Sequence, residues 1–142
     1  MPVIKVRRLI DAARLPQKGT EDAACFDLFA TKDMILPYNT VVRVPTGLAL
    51  EIPTGFCGVV YSRSSSFLKG MIITPLVVDA DYRGEVYVSV RWSDIEKTHY
   101  ELKAGDRIAQ LRIEQLTETK FVEAVELSET KRGGGGYGST GR

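Results

Sequence analysis

Several stretches of this sequence place groups that carry charge or protons beside residues that shape tight turns. In "VVDADYRGEV" (77–86), Asp79 and Asp81 lie between an apolar run and a Tyr-Arg-Gly turn. Carboxylates there can serve the floor of a ligand site. Asp and Gly also shape turns without further purpose, and on this segment alone the two readings weigh equally. In "YSRSSSFLKG" (61–70), Arg63 stands among hydroxyls. Taken alone, a Ser-rich stretch is ordinarily a solvated loop. "AACFDLFA" puts Asp27 between apolar residues, where an unpaired carboxylate is costly, so partners are expected. "AGDRIAQL" (104–111) carries Gln110 inside a strand pattern, where a sheet-face amide is usually structural.

The chain closes on "KRGGGGYGSTGR" (131–142). A disordered terminus is the ordinary meaning of such a segment, yet that leaves its mixture of residues unexplained. Glycines free backbone N–H groups to converge on an anion. Arg132 adds a forked cation, Ser139 and Thr140 add hydroxyl donors, and Tyr137 offers a flat face for a base. Phosphates together with a base describe a nucleotide. No strand pattern precedes the segment and no helix pattern follows it, so it is not a Walker loop. It reads as a lid that orders over a ligand.

The elements that must hold these groups are strands. "EVYVSVRW" (85–92) alternates, with Val86, Val88, Val90 and Trp92 on one face. "TVVRVPTGLALEIPTGFCGVVYS" predicts three short strands broken by Thr-Gly turns at 46–47 and 54–55. "RIAQLRIEQL" (107–116) is a further strand entered through "KAGD", and "FVEAVEL" (121–127) is a candidate last strand. Only "SRSSSFLKG" has room for a helical turn. Many short strands joined by Gly, Pro and Thr turns predict an all-β barrel or sandwich.

Composition sets the outer limits. Of 142 residues 44% are apolar, enough for one buried core. The 19 basic and 18 acidic residues nearly cancel, which removes the electrostatic case for nucleic acid or anionic membrane as a partner. The apolar runs are too short for a membrane span, and "MPVIKVRRLIDAARLP" lacks the apolar middle of a secretory signal. A soluble cytoplasmic or otherwise intracellular protein is expected. Cys25 and Cys57 belong to no CxxC pair and His99 lies far away in sequence, so two free thiols are expected.

In this order "AACFDLFA", "SRSSSF", "VVDADYRG", "GDRIAQL" and "RGGGGYGSTG" resemble the five motifs of the trimeric deoxyuridine triphosphatase (dUTPase) family, over nearly the whole chain. The resemblance implies an all-β, β-barrel-like (β-clip) single domain over residues 1–128, a flexible lid over 129–142, and a homotrimer with active sites at subunit interfaces. It implies hydrolysis of dUTP to dUMP and pyrophosphate, with Asp79 activating water for attack on the α-phosphorus. Tyr82 matches the ring under the deoxyribose. Arg63, Ser64 and Gln110 match phosphate contacts, with Ser65 and Val78 beside them. Arg132 matches the grip on the terminal phosphate, and Tyr137, with Gly138 and Ser139, the base-stacking lid. Asp27 matches a supporting carboxylate. Mg²⁺ arrives with the triphosphate and takes no direct protein ligand.

Two positions depart from the family pattern. Ser62 replaces the proline of the second motif. Leu76, after Pro75, replaces a glycine three residues before the aspartate, in the hairpin that reads the base. The second departure implies an alternative, the same chemistry with base preference moved toward dTTP or dCTP. A non-catalytic nucleotide-binding regulator is a further alternative. Related dCTP deaminases use a glutamate where Ser89 stands here, which points away from deamination.

Overall fold

The computed structural model describes residues 1–136, so Tyr137, Gly138 and Ser139 lie outside the described residues. In chain order the elements are β1 (Lys5–Arg8), β2 (Phe26–Phe29), β3 (Met34–Pro37), β4 (Val41–Glu51), β5 (Phe56–Tyr61), α1 (Ser64–Leu68), β6 (Met71–Ile73), β7 (Leu76–Val78), β8 (Glu85–Trp92), β9 (His99–Leu102) and β10 (Arg107–Gln115). Two four-stranded sheets form, in the orders β1-β4-β8-β6 and β2-β10-β5-β7, with a two-stranded β3-β9 ribbon. Each pairing between these strands is antiparallel.

Period-two patterning explains how these layers close on one core. In β8 the side chains of Val86, Val88, Val90 and Trp92 are buried, and those between them are not. Leu36, Val44, Val60, Val88, Leu102 and Ile108 come from six different strands and join a single apolar cluster. Each such burial is worth about 1.5–3 kcal/mol. The short helix falls within "SRSSSFLKG", Cys25 is partly exposed and Cys57 buried, and both are free thiols. Among the described residues no helix is long and apolar enough to cross a membrane.

Two expectations are corrected. The segment from 40 to 62 makes two strands and not three. Thr54–Gly55 is the hairpin turn, with Gly55 at φ +86. At Thr46–Gly47 the chain stays in β4 and forms a bulge, the register against β8 shifting between Pro45 and Ala49. Gly47 has φ +67, and a Cβ there would lie 2.8 Å from Ala13 Cβ. The Thr46 hydroxyl donates to Val86 O at 2.6 Å and accepts the Leu48 N–H at 3.3 Å, so the bulge is satisfied inside the sheet and no reversal is needed. Residues 121–127 are not a strand. Phe121, Val122, Val125 and Leu127 are exposed. Alternation makes a strand only where an edge and an apolar face await it, and among the described residues the last ladder ends at Gln115.

Candidate active site

β10 lies between β2 and β5, and this order assembles a basic cradle. Gln110 pairs with Asp27 on one side and with Tyr61 on the other. Beyond Tyr61 the chain passes through Ser62 and Arg63 into α1. Arg63 Nε lies 2.9 Å from Asp27 Oδ1, and Arg107 Nε lies 3.4 Å from Oδ2. Arg63 Nη1 also donates to Arg107 O at 3.4 Å, and Gln110 Nε2 donates to Ser62 O at 2.8 Å. Asp27 thus has the partners that its apolar surroundings require. These side chains, with Ser64 and Ser65 at the start of α1, border a cavity of about 540 Å³. Two guanidiniums against one carboxylate leave the cradle net positive. The Ser64 and Ser65 N–H groups sit in the first helical turn, where no intrahelical acceptor exists. The arrangement suits an anion with several oxygens.

Arg107 is a member that sequence reasoning passed over. Strict alternation along "RIAQ" sets Arg107 and Gln110 on opposite faces. The register of β10 against β2 slips between Arg107 and Ala109, and this bulge brings both side chains to the same cavity. An arginine three residues before a chosen glutamine was the available signal.

A second cavity, of about 350 Å³, lies beside the turn that follows β7. Asp79 opens that turn, and its carbonyl accepts the Tyr82 N–H at 3.1 Å. Arg83 Nη1 donates to Ala80 O at 2.6 Å and stiffens the loop. The Tyr82 hydroxyl donates to Glu85 O at 3.0 Å, so its ring folds over Gly84, where a Cβ would fall 2.6 Å from the ring Cζ. Leu76, Val78, Asp79 and Tyr82 line this cavity, together with Glu85, Tyr87 and Arg43. Asp79 is exposed, and among the described residues no cation lies within salt-bridge distance of it. Its carboxylate is therefore open to water, whereas that of Asp27 is occupied.

The structure brings Asp27, Arg63, Ser64, Ser65 and Gln110 together, and Val78, Asp79 and Tyr82 together, as two clusters. Gly58 pairs with Val78, which sets Asp79 opposite Cys57 at the start of β5, while Arg63 lies beyond its other end. From position 57 to position 63 an extended chain covers about 20 Å. The Cys57 thiol is pushed up by burial first and then by the carboxylates of Glu114 and Asp79, so it stands neutral behind the turn. Arg132 joins neither cluster. Its Nε donates to Gly135 O at 2.9 Å, within a turn closed by the Gly133 N–H to Thr130 O at 3.1 Å.

Comparison with known proteins assigns the chain to one family. A family model described as dUTPase matches residues 11–141. The deoxyuridine 5'-triphosphate nucleotidohydrolase of Paramecium bursaria Chlorella virus 1 is 37% identical over 142 residues, covering 99% of both chains. A mutant dUTPase of Staphylococcus bacteriophage 80alpha with dUpNHpp superposes at a TM-score of 0.92, with 23% identity and 99% of both chains covered. A mutant dUTPase of phage phi11 of S. aureus, described for its coordination of a structural Mg(II) ion, superposes at 0.82 with 23% identity, covering 87% of this chain and 97% of that one.

Proposed function

The chain belongs to the dUTPase family and hydrolyses dUTP to dUMP, and we propose that it does so with Asp79 as general base in a site shared between copies of the chain. One observation carries the assignment of the base. Of the three carboxylates that border these two cavities, Asp27 is held by Arg63 and Arg107, Glu85 accepts the Gly47 N–H, and Asp79 has no partner among the described residues. A carboxylate engaged by two guanidiniums is a poor proton acceptor, and an open one at a cavity wall can orient and deprotonate water.

In the proposed reaction that water attacks the α-phosphorus. A P–O bond forms to the water oxygen, Asp79 takes the proton, and the bond to the bridging oxygen breaks, so that pyrophosphate leaves with the bond pair. Tyr82 lies under the deoxyribose and blocks a 2′-hydroxyl, and Leu76 and Val78 wall the base. Arg63, Arg107, Ser64, Ser65 and Gln110 hold phosphate oxygens, where positioning and charge neutralisation supply most of the acceleration. Arg132 reaches the terminal phosphate from a lid formed by residues 129–142, the rest of the chain being the domain that the lid covers.

Mg²⁺ accompanies the triphosphate. Among the described residues no group of three or more His, Cys, Asp or Glu gathers to hold an ion, and Asp27 is committed to its arginines. In the proposed reaction Mg²⁺ takes phosphate and water oxygens, which suit this hard cation, and neutralises charge there. The separation of the two clusters along β5 supports a shared site. The Asp79 turn and Arg63 are set apart by six residues of extended chain, about 20 Å, so a second copy brings its turn to the cradle of the first. A homotrimer with three such sites is the assembly proposed.

Hydrolysis in ¹⁸O-labelled water tests the chemistry. The label is expected in dUMP and none in pyrophosphate. Label in pyrophosphate would mean attack on the β-phosphorus and would remove the proposed geometry. A parallel panel of deoxynucleoside triphosphates is expected to give the highest kcat/KM with dUTP.

A further inference from the structure

We propose that Glu85 is a positioning residue for the hydrolysis, acting through a tie between the turn that carries Asp79 and the bulge in β4. The proposal rests on the roles given above to Asp79 and Tyr82. Glu85 Oε1 accepts the Gly47 N–H at 2.8 Å. That N–H belongs to the bulge, where the register between β4 and β8 slips. Without the carboxylate it is a partly buried donor with no acceptor in the ladder, which a sheet does not tolerate cheaply.

Glu85 is also the first residue of β8, the strand that the turn enters. Its backbone oxygen accepts the Tyr82 hydroxyl at 3.0 Å. A single residue therefore joins the ring of the floor by its backbone and the bulge by its side chain. The carboxylate further holds the Tyr87 hydroxyl above the usual tyrosine range, chiefly by hydrogen bonding, and Tyr87 carries the Arg43 guanidinium 4.4 Å from its ring centroid. All four side chains line the cavity that Asp79 borders. The carboxylate is engaged by the bulge, so it acts on the position of Asp79 and not on the substrate. If the tie is cut, the start of β8 slides on β4, and the turn shifts with it. Displacements near 1 Å cost about a hundredfold in rate.

Three variants test this. Glu85→Gln keeps an oxygen acceptor and is expected to retain kcat within about twofold. Glu85→Asp keeps charge but is one methylene short, and Glu85→Ala removes the acceptor. Both are expected to lose about 10- to 100-fold in kcat with KM changed less than about threefold, because the phosphate cradle is intact. Amide exchange at Gly47 is expected to be slow in wild type and Glu85→Gln and faster in the other two. A kcat for Glu85→Ala within twofold of wild type overturns the proposal. So does an equal loss in Glu85→Gln and Glu85→Ala, which points to charge acting on substrate. Should Glu85→Ala fail to fold, an unchanged kcat in Glu85→Asp with accelerated Gly47 exchange overturns it equally. If the wild type does not turn over dUTP, the reading of Asp79 and Tyr82 fails instead. Gly47 exchange then decides the tie alone, and equal protection in wild type and Glu85→Asp removes it.

Discussion

Asp79→Asn keeps the size of the side chain and its place in the turn while removing the proton acceptor. Turnover is expected to fall by about two to four orders of magnitude, with affinity for a non-hydrolysable dUTP analogue nearly unchanged in calorimetry. An equal loss of affinity would contradict the role. Asp27 is the same chemical group put to another use, because Arg63 and Arg107 flank it. A further residue-scale prediction concerns pH. The Tyr61 hydroxyl donates to Glu114 Oε1 at 2.8 Å. That bond, then burial and the charge of Glu114, hold it above the ordinary value of 10.0. The folded chain therefore binds this proton more tightly than the unfolded chain does. The contribution is whole below the unfolded value and is lost as pH rises through the folded one. Thermal unfolding followed from about pH 9 to about pH 12 should decline more steeply in wild type than in Tyr61→Phe. Parallel curves would exclude the linkage.

At the scale of elements, the turn between β7 and β8 is the part on which the proposed chemistry depends. Its shape comes from the Tyr82–Glu85 bond and from the absence of a side chain at Gly84, over which the Tyr82 ring lies. Gly84→Ala puts a methyl where the Tyr82 ring lies. The turn is exposed and adds little to the core, so stability is expected to change by no more than about 1 kcal/mol. The ring must move, and kcat/KM for dUTP is expected to drop about tenfold. Steady-state kinetics beside a thermal melt checks both halves, and wild-type kinetics would show that the ring is not confined. Bulges do comparable work elsewhere. One in β10 turns Arg107 toward the cradle, and one in β4 stands where a turn was expected from Thr46–Gly47.

For the whole molecule, the distance between the cradle and the Asp79 turn leads to a complementation test. Chains carrying Asp79→Asn and chains carrying Arg63→Ala should each be nearly inactive. Unfolded together and refolded, they should recover part of the activity, because some mixed sites draw an intact cradle and an intact turn from different copies. No recovery, with mixed assemblies demonstrated, would argue for sites within one chain. Sedimentation is expected to give three times the 15.7 kDa chain mass. Removal of residues 131–142 is expected to leave the melt unchanged and to lower kcat by at least about a hundredfold, as loss of an oriented clamp does. Full activity in the truncated protein would refute the lid.

Much of this protein could be read before any coordinates. The clean alternation of "EVYVSVRW" required a half-buried strand, and the spacing of turn residues required many strands. Asp27 among apolar neighbours required a partner. Such features follow from local chemistry, since a strand has period two wherever it lies and a buried carboxylate is costly in any fold. The placing of Arg107 beside Gln110, the continuity of β4 through Gly47, and the failure of 121–127 to form a strand could not be read this way. A bulge slips one residue against its neighbour, and a strand exists only where an edge receives it. Both depend on a partner distant in sequence. The sequence alone therefore determined which groups are available for chemistry and the class of fold that holds them. Only the tertiary structure decided that the carboxylate and the basic cradle stand at opposite ends of one strand, because the distance between them is set by how β5 pairs with its neighbours and not by any residue in the motifs themselves.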